Sequence, residues 1–187
     1  MSADRQESGG GWGLLARRVA AYLLDILILF AVLAPLGQLI LRLFGATPRS
    51  GPEIAATILW NFSLPVWLYF ILSDSSASGA TLGKRLLAIQ VRTEQGARLG
   101  LGRSLARTAV KLLPWELIHI FAFALSVDLS EFRPVQLIGV SAANLLTLAY
   151  LALAIATRGR RSAHDFVAGS FIRAASRAGG APHGETA

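Results

Sequence analysis

The sequence predicts an all-α integral membrane protein: a four-helix bundle with both termini cytoplasmic (N-in/C-in) and a short strand-like cytoplasmic hairpin between spans two and three. Three observations predict it. Of the 187 residues, 53% are hydrophobic and 16% charged, with a mean hydropathy of +0.53; soluble domains run near ~45–50% and ~25%. Apolar stretches at 14–36, 54–72, 108–127 and 134–157 each approach the ~20 residues a helix needs to cross ~30 Å of hydrocarbon. Basic residues alternate between rich and poor segments, with fifteen of eighteen Lys/Arg in the N-terminal tail, the stretch between spans two and three, and the C-terminal tail. The remaining connections carry only Arg42, Arg49 and Arg133. Basic segments stay on the cytoplasmic side of a membrane, so this alternation implies four crossings.

The same composition narrows the function. Cysteine is absent, which removes a disulfide framework, a thiolate metal site and a cysteine nucleophile. The net charge of +7 and pI of 11.0 follow from membrane topology, so nucleic acid is not needed as a partner. The partners expected are the lipid bilayer, anionic lipid headgroups at the cytoplasmic face, and a homo-oligomer or membrane protein partner. No cofactor, metal or catalytic residue is predicted, and there is no HExxH, GxSxG or paired-carboxylate metal motif.

Taking the elements in order, residues 1–13 are small, polar and Gly-rich, and read as a disordered cytoplasmic tail. Residues 14–173 form the membrane domain. Span one exceeds the 7–15 residues of a signal-peptide core, and "LAPLGQ" is a poor cleavage site, so the span stays as an anchor. After span two, "GATLGKR" (Gly79, Thr81, Gly83, Lys84) lacks the glycine spacing and the Ser/Thr after lysine of a phosphate loop, and reads instead as a Gly-hinged basic turn meeting lipid headgroups. "LLAIQVRTEQGARL" then alternates apolar and polar residues before turning at "EQG", the pattern of a strand or hairpin. Ser104 is placed to cap the third helix. Residues 174–187 read as a second disordered tail.

Three pieces in this order, "RRVAAYLLD" with Arg18 and Asp25, "GATLGKRLLAIQVRTEQG", and "RRSAHDFVAG" with Asp165, make the chain resemble the RDD family of bacterial multi-pass membrane proteins. The resemblance organises nearly the whole chain between the tails. It implies a location in the bacterial inner (plasma) membrane, an arginine opening the first helix, an aspartate within it, and transport as the suggested role, with sodium/proton antiport in some members.

Asp25 lies ~16 Å into a helix counted from Leu14 at ~1.5 Å per residue, a depth where a carboxylate costs roughly 2.5–3.5 kcal/mol and needs partners. The same count from the cytoplasmic ends brings Asn61 and His119 to that level, with Asn144 about two residues away. Pro65 frees the carbonyl of Asn61, and Glu116 shares a helical face with His119. The set Asp25, Asn61, Glu116, His119 and Asn144 is the candidate cation or proton site; its bland counterpart is hydrogen-bonding glue between helices. Asp165 falls at the cytoplasmic surface near Arg17 and Arg18, either as a latch or as a fixed clamp and helix cap for "FVAGSFIRAAS". Two functions follow as alternatives: transport of a small cation or proton around Asp25, or a non-transporting scaffold recruiting a partner through its basic face.

Overall fold

The structure is a computed structural model and describes residues 3–124 and 133–175. Helix α1 (Ala3–Leu43) runs through Pro35. It extends past the predicted 14–36 at both ends, and part of the predicted N-terminal tail is helical. Helix α2 (Gly51–Ile58) starts at a side-chain cap: Ser50 Oγ accepts from the Glu53 N–H, and Glu53 Oε2 accepts from the Arg49 N–H at 2.7 Å, which satisfies amides a helix start leaves open. A π-helical turn, Leu59–Ser63, joins α2 to α3 (Leu64–Ser75) without a break. The widened turn lies just ahead of Pro65, whose missing N–H cannot close the ordinary helical bond.

Helix α4 (Leu82–Leu86) and strand β1 (Ile89–Thr93) follow, then α5 (Leu101–His119), extended by a second π-helical turn at Ile120–Ala124. Helix α6 (Pro134–Ala156), the five-residue α7 (Ala163–Val167) and strand β2 (Ser170–Ala174) are the last elements of the described residues. Among the described residues, three helical rods are long and apolar enough to cross a membrane: Trp12–Leu43, Gly51–Ser75 and Pro134–Ala156. Helix α5 with its π turn is a fourth long rod, but Arg103, Arg107 and Lys111 occupy its first half. The predicted third span, 108–127, ends in residues outside the described ones, and most of the 174–187 tail lies outside them too.

Helix α5 is central, packing against α3, α6 and α7, while α4 lies on α1. One core cluster, Val66, Phe70 and Leu112 with Leu29, Leu33 and Trp67 around it, joins the long helices. A second, Ala21, Ile89, Val91, Leu99, Ala168 and Ile172, sits under the two strands. Outward apolar side chains such as Leu27, Phe30, Ile138 and Leu145 are exposed, as suits helices whose surroundings are hydrocarbon.

The strand prediction needs one correction. A tight hairpin turn does form at "EQG", with the Gly96 N–H donating to the Thr93 carbonyl at 2.8 Å and the Thr93 N–H to the Ala97 carbonyl at 2.9 Å, but among the described residues no second strand continues from it. β1 pairs antiparallel with β2, from Ile89 opposite Ala174 to Thr93 opposite Ser170. The partner is apolar on alternate residues, so Ile172 enters the same core as Ile89 and Val91. Two further corrections concern caps. Helix α5 begins three residues before Ser104, whose Oγ instead donates to the Ile71 carbonyl at 2.8 Å. "FVAGSFIRAAS" is not a helix capped by Asp165: it is the end of α7, a turn and β2.

α4 approaches α1 so closely that a Cβ on Gly83 would stand 2.2 Å from the Ala21 carbonyl oxygen. Backbone cannot yield as a side chain can, so Gly83→Ala is expected to destabilise the purified protein by about 2 kcal/mol or more. Thermal melting in detergent checks this against Gly102→Ala, whose Cβ meets nothing within 4 Å and should leave the melting point unchanged.

Candidate functional site

On the face carrying the 76–100 segment, five charged side chains form one alternating chain. Arg18 comes from α1, Asp74 from the end of α3, Lys84 from α4, Arg107 from α5 and Asp165 from α7. Lys84 Nζ and Arg107 Nη1 hold the two oxygens of Asp74. Arg107 Nε and Nη2 donate to Asp165 Oδ1 at 2.9 and 2.8 Å, and Arg18 Nη2 donates to Asp165 Oδ2. Arg18 Nη1 also reaches the Gly159 carbonyl at 3.2 Å. Both carboxylates are fully buried, and Arg107 is 1% exposed.

Asp165 does a second job locally. As the third residue of α7 it accepts from the Ser162 N–H at 2.9 Å, closing a capping box. Burial alone would push its carboxyl up, but the Arg107 and Arg18 guanidiniums hold it below the usual carboxylate range. Burial pulls the Lys84 ammonium down, with Asp74 acting in the opposite direction. His164 Nε2 lies 2.8 Å from Arg18 Nη2. Arginine can only donate, so Nε2 accepts and the neutral ring carries its proton on Nδ1. That buried Nδ1 has no partner among the described residues. Burial drives the His164 pKa well below its ordinary value; Asp165 opposes this, while Arg107, Arg18 and Lys111 add to it.

The expected proximity of Asp165 to Arg17 or Arg18 is met by Arg18, while Arg17 is exposed. Arg18 and Asp25, seven residues apart on α1, have separate partners. Asp74 and Arg107 were missed in the sequence. The available signals were a lone acid at the end of an apolar run and the spacing Arg103, Arg107, Lys111, which lays a basic stripe along one helix face.

Asp25 is 1% exposed and bound by three neutral donors: Tyr69 Oη at 2.6 Å, Thr81 Oγ1 at 2.5 Å and the Gly83 N–H at 2.8 Å. Thr81 is also the cap of α4, accepting from the Lys84 N–H. The "GATLGKR" turn is therefore not an exposed headgroup-binding turn. Thr81, Gly83 and Lys84 are buried and face α1 and α3, and Gly79, at φ +60°, has Val91 O 2.5 Å from where a Cβ would stand. Since α1 runs to Leu43, about 27 Å of helix lies beyond Asp25, nearly the hydrocarbon thickness. Asp25 therefore stands near the middle of α1, both of whose ends lie further out than the apolar count suggested.

The other members of the predicted polar belt do not converge on Asp25. Asn61 Nδ2 donates to the Thr57 carbonyl of its own helix at 3.0 Å, and Asn144, exposed, does the same to Val140. Equal depth left the helical phase unspecified, and Asn144 points away from the bundle. Glu116 and His119 form a separate group. Glu116 accepts from Ser63 Oγ at 3.0 Å and from Trp67 Nε1 at 2.9 Å. His119 packs edge-on to Trp115, ring centroids 4.6 Å apart, and both His119 Nδ1 and Trp115 Nε1 are buried without a partner among the described residues. Ser63 closes the first π-helical turn and Ile120 opens the second.

The family profile described as the RDD family matches residues 13–169. No curated protein and no solved structure matches the chain.

Two outcomes test the ion chain. His164 is neutral in the folded protein, whereas the unfolded chain protonates it near pH ~6.5. The unfolded state binds the extra proton, so stability is fully present above that pH and falls as the pH drops below it. Melting in detergent should fall between pH 7 and 5.5, and His164→Gln should reduce that slope, while the steeper loss below about pH 4, as Asp74 and Asp165 protonate, should remain. Second, Arg18→Asp with Asp165→Arg should fail to rescue either single reversal in folded yield, because the new arginine would face Arg107.

Proposed function

Because the chain belongs to the RDD family, whose profile covers residues 13–169, we propose that it is a multi-pass membrane protein moving a proton or small cation, with Glu116 as the group that binds it. One observation carries this reading. Glu116 lies in a helix between apolar neighbours and is held by a hydroxyl and an indole N–H, with no cation in ion-pair range among the described residues. Asp74 and Asp165 each have two cations. An intramembrane carboxylate without a fixed counter-ion is suited to take up and release a mobile one.

The surroundings supply the rest of the chemistry. His119, one turn along, is within reach of water or a proton exchanged with Glu116. The two π-helical turns leave backbone carbonyls less committed than a regular helix does. Asp25 serves as the anchor that pins the Thr81–Gly83 backbone to α1, and Asn61 and Asn144 satisfy their own helices. The reading includes a bacterial plasma-membrane location with α5 as the third of four spans, both termini cytoplasmic, since the basic segments gather on one face, and self-association, since four helices enclose little path. It makes the protein a transporter and not an enzyme.

Flux in proteoliposomes under a proton or sodium gradient tests the proposal. Wild type should show pH-dependent flux, and Glu116→Gln, which keeps shape and removes the charge, should lower it by about tenfold or more with normal folded yield. Asp25→Asn should chiefly lower folded yield. Wild type without flux under any gradient leaves the scaffold as the function, and undiminished flux in Glu116→Gln removes Glu116 from the pathway.

A further inference from the structure

Three arginines take no part in the ion chain and line a single cleft. It has a volume of about 720 Å³ and runs between Leu14 on α1, Arg160 and Arg161 after α6, and Phe171 and Arg173 on β2. The two arginine-bearing segments are fixed relative to each other, because the Ile172 N–H donates to the Arg160 carbonyl at 2.9 Å. Arg161 is partly committed: its Nη2 holds Glu94, and its guanidinium lies 5.2 Å from the centroid of the Phe166 ring. Arg160 is exposed and joins no ion pair among the described residues. Arg173 Nε is buried with no hydrogen-bond partner among them.

A buried guanidinium donor left unpaired is costly, and the cost disappears when an anion enters. With Glu94 counted against Arg161, two positive charges remain uncompensated around the cleft. Forked guanidinium donors match the oxygens of a phosphate group better than a lysine does. The cleft wall is apolar at Leu14 and Phe171, and Leu14 lies at the start of the apolar rod Trp12–Leu43. The pocket therefore joins a cationic floor to the level where hydrocarbon begins.

We propose that this cleft binds a phosphate ester, its phosphate held by Arg160 and Arg173 with Arg161 at the rim, and its organic portion against Leu14 and Phe171. Two sources carry that chemistry, an anionic phospholipid headgroup and a soluble phosphate. The site is separate from Glu116 and stands whether or not the protein transports.

The test uses the full-length protein in detergent, with dioctanoyl phosphatidylglycerol and inorganic phosphate as probes, read by thermal shift and by adducts in native mass spectrometry. Arg160→Gln with Arg173→Gln should weaken binding by about tenfold. Arg98→Gln with Arg103→Gln, which removes two exposed arginines elsewhere, should leave it unchanged. Retention of the lipid alone identifies a headgroup site; phosphate binding that also falls in the cleft variant identifies a soluble phosphate. Binding of neither probe, equal weakening in the control variant, or no weakening in the cleft variant overturns the proposal. Should the double variant fail to fold, Arg160→Lys keeps the charge and loses the fork, and wild-type binding in it overturns the proposal equally.

Discussion

The loop-bearing face depends on one constraint: a carboxylate taken out of water must be compensated, and here two are compensated by three shared cations. Asp74 lies between Lys84 and Arg107, and Asp165 between Arg107 and Arg18. Arg107 is the hinge of this arrangement, because a guanidinium offers donors in several directions and can serve two carboxylates at once, which an ammonium on a single stem does less well. The desolvation cost of burying five charges is offset only while the alternation is complete. Loss of any member strands its neighbour, so the chain acts as a unit tying α1, α3, α4, α5 and α7 together.

That tie explains how such short elements persist. Helices of five residues and a two-stranded sheet are not stable alone in water. α4 is held by the Thr81 cap, by Asp25 accepting the Gly83 N–H, and by Lys84 in the ion chain. α7 is held by its own capping box and by the same carboxylate that reaches Arg107. The strands then meet because their two flanking helices are already fixed, and Ile89, Val91 and Ile172 close the small core beneath them.

The two candidate intramembrane carboxylates differ in their partners. Asp25 accepts three hydrogen bonds, one from backbone, and every donor belongs to an element that must stay in place. Glu116 accepts two, both from side chains, beside two ring nitrogens with no partner among the described residues. A carboxylate whose bonds define the fold is a poor place to exchange an ion, since each exchange would undo the packing; one held by side chains between long helices can do so with rotamer changes alone.

The apolar runs, the basic alternation and the position of Arg18 near Asp165 were legible in the sequence, because hydrophobic length and charge placement are properties of consecutive residues. The strand at Ile89–Thr93 was legible from its period of two. Its partner was not, since β2 lies some eighty residues away and pairing depends on where α6 and α7 deliver it. Depth along a helix could be counted, and it brought Asp25, Asn61, His119 and Asn144 to one level. Azimuth could not be counted, because it depends on which neighbour each helix meets, and so the belt separated into unrelated groups. Arg107 and Asp74 looked like ordinary interfacial charges; only the crossing of α3, α5 and α7 makes them buried partners. What the sequence by itself determined is what a single chain segment can encode: span, period and charge sign. The tertiary structure alone decided which charges share a carboxylate, since that is a distance between side chains and not a spacing along the chain.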